Sequence, residues 1–192
     1  MLNLSPSFLQ WITAFILNTI LISLAHRAPL LTRSGWLSAG ILGTILWGSF
    51  GWRGWLAVVF YLLLGSLVTK LGFANKKLAG LAESRDGKRG PENVWGSASV
   101  GAFLALLFNF NLYPENILLI GFASSFSAKL ADTFGSEIGK RWGKETFLIT
   151  SLRRVKSGTD GGISLIGTFA SMLGSLLMTL IMVALFFDQL KP

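Results

Sequence analysis

The amino-acid sequence predicts an all-α, polytopic integral membrane protein with about six transmembrane helices. Of its 192 residues, 52% are hydrophobic and only 14% are charged, whereas soluble domains have about 25% charged residues. The mean hydropathy is +0.59. The apolar residues form long runs, and a helix of roughly 20 apolar residues crosses a bilayer core. Lys and Arg cluster between alternate runs, as expected for a chain that crosses a membrane several times.

The apolar runs predict one membrane domain whose successive spans cover residues 8–25, 35–51, 54–71, 95–113, 116–137 and 163–187. We expect the first to be retained, because it lacks the charged start and cleavage site of a signal peptide. The glycine-rich second span is typical of close helix packing. The fifth is the least hydrophobic, which indicates either a break near Gly135 or a lower half that lines a cavity.

The positive charges predict the orientation of the spans. Fourteen of the seventeen Lys and Arg residues fall on one side of the predicted spans, and only Arg53 and Lys191 fall on the other, with Lys129 inside the fifth span. The positive-inside rule then places loops 72–94 and 138–162 in the cytoplasm and both termini outside. The net charge of +8 fits cytoplasmic loops or anionic substrates. We expect no nucleic-acid partner, because the cations lie between spans.

Two residue counts exclude several kinds of site. The chain has no cysteine and a single histidine, His26. Disulfides, thiolate metal sites and multi-histidine metal sites are therefore excluded.

The fifth span carries charges within apolar sequence, where they are costly and usually face a cavity, a partner or a substrate. Ser125, Lys129, Asp132 and Ser136 are spaced to share one helix face, which we expect to point into the bundle. Asp132 could bind Mg²⁺, a cation that shares oxygen ligands with phosphates, and Lys129 could neutralise phosphate oxygens. Alternatively, the two charges form a pair that only fixes helix packing. Glu137 is either a second metal ligand or a solvated charge at the helix end.

A second candidate site is the glycine-rich segment before the sixth span. Glycines allow close backbone approach to an anion, and the N–H groups of a helix start attract one. Alternatively, Thr159 or Asp160 is the N-cap of the sixth helix. Arg141 and Lys144 precede this segment in the same basic loop. The predicted phosphate-binding residues of the segment are Lys156, Ser157, Gly158, Thr159, Gly161 and Gly162.

A third candidate site lies before the fourth span. Arg85, Lys88 and Arg89 supply cations, and Asn93 lies at the predicted helix entry. This loop is either a second phosphate clamp or a solvated basic loop that holds anionic lipid headgroups. Two anion sites would suit two phosphorylated reactants.

Three sequence motifs resemble the signatures of the phytyl-phosphate kinase family of plants and cyanobacteria. The vertebrate transmembrane protein 19 group is a more distant relative, and a weaker similarity extends to dolichol kinase and phytol kinase. The resemblance covers roughly residues 70–175, and its motifs occur in order. They are Arg89-Gly-Pro-Glu-Asn-Val-Trp-Gly-Ser97, Lys129-Leu-Ala-Asp-Thr-Phe-Gly-Ser-Glu-Ile-Gly-Lys-Arg-Trp-Gly-Lys144 and Gly158-Thr-Asp-Gly-Gly-Ile-Ser-Leu-Ile-Gly167.

The resemblance implies Mg²⁺-dependent transfer of a phosphoryl group from a nucleoside triphosphate, with CTP the expected donor, to a prenyl monophosphate such as phytyl phosphate. The product would be a prenyl diphosphate for tocopherol or related prenyl-lipid synthesis. Lys129, Asp132 and Asp160 are the expected catalytic residues. Lys156 stands where many relatives are expected to have proline. By match to the motifs, the site would also include Ser136, Glu137, Lys144, Gly158 and Thr159.

We therefore expect an active site at the cytoplasmic face, between the fourth, fifth and sixth spans, with the prenyl tail in lipid. The membrane would be the cell inner membrane, or a thylakoid in a cyanobacterium. Alternative functions are a CTP-dependent polyprenol kinase or cytidylyltransferase of the same membrane type, an anionic-lipid transporter, and a membrane scaffold. The prenyl chain length, the nucleotide base and the oligomeric state are left open.

Overall fold

A computed structural model describes residues 8–111 and 113–189. Over these residues the chain is mostly helical, with short 3-10 helices at Arg85–Gly87 and Phe187–Gln189. The α-helices are α1 (Phe8–Ala25), α2 (Arg33–Lys70), α3 (Phe73–Leu78), α4 (Pro91–Asn109), α5 (Glu115–Trp142) and α6 (Leu165–Phe186).

Helix α2 is a helical hairpin that folds back at Gly51. The backbone there is non-helical, with φ 66° and ψ −161°, a conformation that glycine adopts without steric cost. Arg89 contacts Gly35 through its carbonyl oxygen and Gly65 through its guanidinium group. Thirty residues of straight helix would separate these two glycines by about 45 Å, so the chain must reverse between them. The arms before and after Gly51 correspond to the predicted second and third spans.

Four helices of the described chain are long and apolar enough to cross a membrane, namely α1, α2, α5 and α6. Helix α4 is less apolar, but its 19 residues extend about 28 Å, and it packs against α2 and α5. With α2 counted as two arms, the predicted number of about six spans is roughly supported.

Two helix boundaries differ from prediction. Helix α4 begins at Pro91 rather than residue 95, since proline suits a first helical position and the Asn93 side chain accepts the Gly90 N–H at 2.9 Å. Helix α5 continues without interruption through Gly135 to Trp142. The break considered near Gly135 is therefore wrong, and the last turns of α5 belong to what was predicted as loop.

The basic segments lie together at one end of the bundle. Leu31 forms a β-bridge with Arg89, and Lys76 pairs with Glu137 near the end of α5. At the opposite end, Arg53 lies 3.7 Å from Asp188. The chain segments that the charge pattern groups on one membrane side thus share one end of the molecule. Assignment of that end to the cytoplasm stays a prediction.

The core is built around phenylalanine side chains. Phe122 of α5 packs against Phe50 at 4.8 Å, Phe126 at 5.1 Å and Phe186 at 6.0 Å between ring centroids. Phe126, Leu130 and Phe134 of α5 are buried, at 0%, 0% and 5% exposed. The apolar face of α5 therefore contacts the core. Its polar face lies away from this phenylalanine core and borders cavities, which agrees with the alternative that the lower half of the fifth span lines a cavity.

Small residues bring α5 and α6 into close contact. Gly135 faces Ser171 and the carbonyl oxygen of Gly167, and Gly174 faces the carbonyl oxygen of Leu130. Small side chains let two helix backbones approach closely. This contact holds α5 against the start of α6. Both helices border one of the cavities described below.

A three-stranded antiparallel sheet connects α5 to α6. It consists of β1 (Thr146–Leu148), β2 (Arg154–Val155) and β3 (Gly162–Ile163), in the order β2-β1-β3. Helix α6 starts after this sheet, and Ser164 is its N-cap, accepting the Gly167 N–H at 3.1 Å. The predicted N-caps Thr159 and Asp160 are wrong, because both residues lie in the turn between β2 and β3.

Candidate functional site

Asp132 and Ser136, one turn apart on α5, line two neighbouring cavities. The first, here called the loop cavity, has a volume of about 180 Å³ and lies between α5, the segment 83–89 and the start of α4. The second, the turn cavity, has a volume of about 510 Å³ and lies between α5, the turn 157–162 and the start of α6. The Asp132 side chain is 70% exposed, and its Oδ2 lies 3.2 Å from Lys129 Nζ.

The loop cavity is lined by charges of both signs. Lys88, Arg89 and Lys129 supply cations, and Asn93 lines it from the first turn of α4. The carboxylates in its wall are those of Glu83, Asp132 and Glu137. These residues come from two predicted motifs that are about 40 positions apart in sequence. The structure therefore brings the third candidate site and the fifth-span charges together at one cavity.

Arg89 is held in a defined orientation. Its Nη1 donates a hydrogen bond to the Tyr61 hydroxyl at 3.1 Å, and its guanidinium carbon lies 5.2 Å from the centroid of the Tyr61 ring. The Tyr61 hydroxyl in turn donates to Ser97 Oγ at 2.8 Å. A guanidinium group has five N–H donors, so Arg89 can bind an anion while it keeps this contact. Sequence analysis missed Tyr61, although its hydroxyl in an apolar span was a usable signal.

The segment before α4 is anchored to α5 by buried charges. Lys76 and Glu137 form an ion pair, and their side chains are 1% and 3% exposed. Lys76 Nζ also donates to the Thr69 carbonyl at 2.7 Å, and Glu137 Oε1 lies 3.4 Å from Lys140 Nζ. Lys140 lies 3.1 Å from Glu83. Glu137 is thus not a solvated helix-end charge. Sequence analysis missed Lys76, since nothing in the sequence separates it from Lys77.

The turn cavity is bordered by backbone groups and hydroxyls. Ser157, Gly158, Thr159, Asp160, Gly161 and Gly162 all line it. Gly158 and Gly161 have φ values of 86° and 72°, which side chains rarely adopt. Thr159 Oγ1 donates to the Lys156 carbonyl at 2.7 Å, and the Gly162 N–H donates to the Thr159 carbonyl at 2.9 Å. The turn is therefore self-bonded and leaves the Asp160 side chain exposed.

A model of the family described as "Integral membrane protein DUF92" matches residues 16–191. The chain belongs to this integral membrane family. Its sequence is 48% identical, over 89% of the chain and 67% of the relative, to an uncharacterized membrane protein of Synechocystis. It is 39% identical to the chloroplastic protein VTE6 of Arabidopsis thaliana, over 84% of the chain. An uncharacterized membrane protein of Methanocaldococcus jannaschii is 30% identical, over 95% of the chain and 74% of the relative.

The aligned part spans 49% of the length of VTE6. No solved structure matches the chain. The cyanobacterial and chloroplastic relatives agree with the resemblance that the three motifs indicate, and that recognition is confirmed at the level of the family.

In this member of the family, four predicted phosphate-binding residues line neither cavity. Arg85 forms an ion pair with Glu92. The Arg141 guanidinium carbon lies 5.3 Å from the Trp142 ring centroid. Lys144 and Lys156 are exposed. Of the cations predicted for the site, Lys88, Arg89 and Lys129 line the loop cavity. The other predicted cations lie elsewhere on the loops.

The predicted metal ligands are Asp132 and Glu137, and binding of Mg²⁺ by them stays a prediction. Within residues 8–111 and 113–189, no cluster of three or more His, Cys, Asp or Glu side chains could hold a metal by itself. Mg²⁺ is usually bound by one or two carboxylates together with substrate phosphates. Asp132 is open to both cavities and fits this pattern. Glu137 remains a predicted ligand, but its carboxylate already contacts two ammonium groups.

Proposed function

We propose that this protein is a membrane prenyl-phosphate kinase. It transfers the terminal phosphoryl group of a nucleoside triphosphate, with CTP the expected donor, to a prenyl monophosphate such as phytyl phosphate. The product is a prenyl diphosphate for tocopherol or related prenyl-lipid synthesis. The observation that carries this proposal is the shared wall of Asp132 and Ser136 between two cavities. Two phosphorylated reactants could meet across that wall.

The reaction forms one P–O bond and breaks another. An oxygen of the acceptor phosphate bonds to the γ-phosphorus, and the bond from that phosphorus to the β,γ-bridging oxygen breaks. The nucleoside diphosphate leaves with the electron pair. The acceptor is already anionic near neutral pH, so no strong general base is needed. This fits a chain whose only histidine, His26, is exposed beyond the end of α1.

The protein contributes mainly position and charge, as phosphoryl transfer requires. Lys88, Arg89 and Lys129 offset the charge of phosphate oxygens in the loop cavity. Asp132 would hold a Mg²⁺ ion chelated by the phosphates, and Asp160 is a second carboxylate at the turn cavity. When bound, the ion neutralises charge on the transferring group.

Family membership supports this proposal. The 39% identity to VTE6 and the motif resemblance both favour a kinase of prenyl phosphates. The alignment covers about half of VTE6, so the activity is proposed for this chain and is tested on this chain.

The structure offers no support for the transporter alternative. Transporters typically bind substrate at helices interrupted near the middle of the membrane. Helix α5 is continuous past Lys129 and Asp132. The interruption of α2 at Gly51 lies at its hairpin turn, at the end opposite the basic loops.

The test is an assay of the purified full chain in nanodiscs. It is mixed with phytyl or geranylgeranyl monophosphate, or with the corresponding alcohols, and with each of four nucleoside triphosphates labelled at the γ-position. We expect labelled prenyl diphosphate from the monophosphates and its loss when EDTA is added. A labelled monophosphate made from the alcohol would indicate a polyprenol kinase. A parallel reaction uses nucleotide labelled at the α-position, and label from it in the lipid would indicate a cytidylyltransferase, which transfers the nucleoside monophosphate and releases pyrophosphate. The absence of any lipid product in both reactions would refute the proposal.

A further inference from the structure

We infer that the isoprenoid chain of the acceptor is bound inside the protein, along an apolar path between α1, α2 and α4 that ends at the loop cavity. This inference rests on the proposed function, because it concerns the acceptor of that reaction. It differs from the expectation that the tail stays in lipid. The path consists of two apolar spaces that share residues with each other and with the loop cavity.

The inner space is a cavity of about 90 Å³ between α1, both arms of α2 and α4. Apolar side chains dominate its wall, among them Leu42, Val58 and Leu62. Tyr61, Arg89 and Asn93 line both this inner cavity and the loop cavity. The phosphate-binding end and the apolar space therefore meet at a boundary made of the same three residues.

The outer space is a groove of about 500 Å³ between α1 and the first arm of α2. Asn18, Ile22 and Trp36 line both the groove and the inner cavity. Along the groove, Phe15 is 61% exposed and Ile41 is 50% exposed. Side chains of this kind on a membrane helix face lipid. The groove therefore connects the inner cavity to the hydrocarbon of the bilayer.

The polar residue at the junction of the two spaces is fully occupied by protein contacts. Asn18 is 3% exposed. Its Nδ2 donates to the Gly40 carbonyl at 2.5 Å, and Thr44 Oγ1 lies 3.3 Å from the same nitrogen. Its Oδ1 accepts the Trp55 indole N–H at 3.1 Å. Because these groups are satisfied, an apolar chain can pass the Asn18 amide without unpairing it. The Trp36 indole nitrogen at the same junction is buried and has no hydrogen-bond partner among the described residues, so an apolar chain there removes no hydrogen bond from it.

The apolar lining and the direction of the path suit a lipid phosphate. From Trp36 to Ile45, the groove follows the first arm of α2 for roughly 14 Å, at 1.5 Å per residue. The inner cavity continues the path to Arg89, whose guanidinium group is held by Tyr61. A molecule with one phosphate and a long branched hydrocarbon chain matches both ends of the path.

This path also assigns the two reactants. The turn cavity shares no lining residue with the inner cavity or with the groove. The acceptor phosphate then occupies the loop cavity, and the nucleotide phosphates occupy the turn cavity beside the glycine-rich turn 157–162. Asp132 and Ser136 stand between them.

The first experiment narrows the path. Ala39 is half-buried and lines the inner cavity, so Ala39→Phe should block it. We expect the KM for geranylgeranyl monophosphate to rise by about tenfold or more, as is usual when an apolar pocket is mismatched in size, with the KM for the nucleotide unchanged. Val59→Phe, in the second arm of α2, narrows the same cavity and covers the case in which Ala39→Phe does not fold.

The matched control is Ala123→Phe. Ala123 is also half-buried and lines an apolar groove of about 400 Å³ between α5 and α6. That groove shares no residue with either polar cavity, so the KM for the lipid should stay at the wild-type value. Equal effects of Ala39→Phe and Ala123→Phe, or no effect of either path variant, would overturn the inference.

A second experiment does not depend on turnover. Geranylgeranyl monophosphate with a diazirine at the far end of its chain is cross-linked to wild-type protein, and the labelled peptides are mapped by mass spectrometry. We expect label in α1 and the first arm of α2. Label confined to α5 and α6 would overturn the path even if the kinase assay succeeds. Label in α1 and α2 without phosphoryl transfer would support the path and refute the proposed function.

Discussion

Lys76 and Glu137 form an ion pair whose two side chains are almost completely buried. Lys76 belongs to the short helix α3, and Glu137 belongs to α5 near the end that carries the basic loops. The pair therefore ties the segment after α2 to the helix that carries Asp132. Lys88 and Arg89 follow in this same segment, so the pair contributes to the position of the cations in the loop cavity.

Removing either charge of this pair should destabilise the protein, but removal of the Glu137 charge and removal of the Lys76 charge should have different effects. Removal of one partner of a buried ion pair typically costs about 3–5 kcal/mol. Glu137→Gln leaves the buried Lys76 ammonium with neutral acceptors only, such as the Thr69 carbonyl, whereas Lys76→Met leaves Glu137 near the cation of Lys140. We therefore expect Glu137→Gln to lower the unfolding temperature in detergent more than Lys76→Met does.

The control for this comparison is Lys77→Met. Lys77 pairs with Asp86, but these side chains are 68% and 74% exposed, and exposed pairs contribute about 0–1 kcal/mol. The unfolding temperature of Lys77→Met should stay close to that of the wild type. The double variant Lys76→Met with Glu137→Gln should recover part of the lost stability. Equal effects of Lys76→Met and Lys77→Met would contradict the structural role of the pair.

Hydropathy predicted the main helices because membrane spans need long apolar runs. The predicted second and third spans are the two arms of α2, which reverses direction at Gly51. The charge pattern grouped the basic loops correctly, since it reflects the end of the bundle on which they lie. The motif around Asp132 also predicted its position beside Lys129, because spacing on one helix determines which side chains share a face.

Hydropathy, charge pattern and residue spacing could not predict the tertiary contacts. Lys76 and Lys77 are identical neighbours, and only the packing of α3 against α5 buries the first. The strands β1, β2 and β3 have two or three residues each, too few to show an alternating pattern. The sequence therefore offers Thr159 or Asp160 as an alternative N-cap, whereas the N-cap of α6 is Ser164, after β3.

The positions of the loop lysines predict different effects on ligand binding. Lys88 lines the loop cavity, while Lys144 is exposed and lines neither cavity. Lys88→Ala should weaken binding of prenyl monophosphate severalfold in nanodiscs of neutral lipid, where headgroup attraction is absent. Lys144→Ala should bind it like the wild type. Equal losses in both variants would indicate that the loops act through overall charge.

The orientation in the membrane can be tested by cysteine labelling, because the natural sequence has no cysteine. Ser151 lies in the sheet region beside the basic loops, and Tyr113 lies in the turn between α4 and α5 at the opposite end; both are exposed. A membrane-impermeant maleimide should label Tyr113→Cys in intact spheroplasts and Ser151→Cys only after permeabilisation. Label on both variants from one side would contradict the six-span topology.

Asp132 allows a separation of catalytic and structural roles. The Lys129 and Asp132 side chains are 38% and 70% exposed, so their pair should contribute only about 0–1 kcal/mol to folding. Asp132→Asn should therefore unfold at nearly the wild-type temperature. Its activity should fall by at least about a hundredfold, a typical loss when one group that stabilises charge in the transition state is removed.

The double variant Asp132→Asn with Lys129→Met decides between the two roles. Because Lys129 also lines the loop cavity, the double variant is compared with Lys129→Met alone. If Asp132 only balances the charge of Lys129, the two variants should have equal turnover. If Asp132 acts on the metal-chelated phosphates, the double variant stays folded but turns over at least about a hundredfold more slowly than Lys129→Met. We expect the second result, measured as unfolding temperature and phosphoryl transfer on the same preparation. Equal turnover of the two variants would exclude Asp132 as a metal ligand.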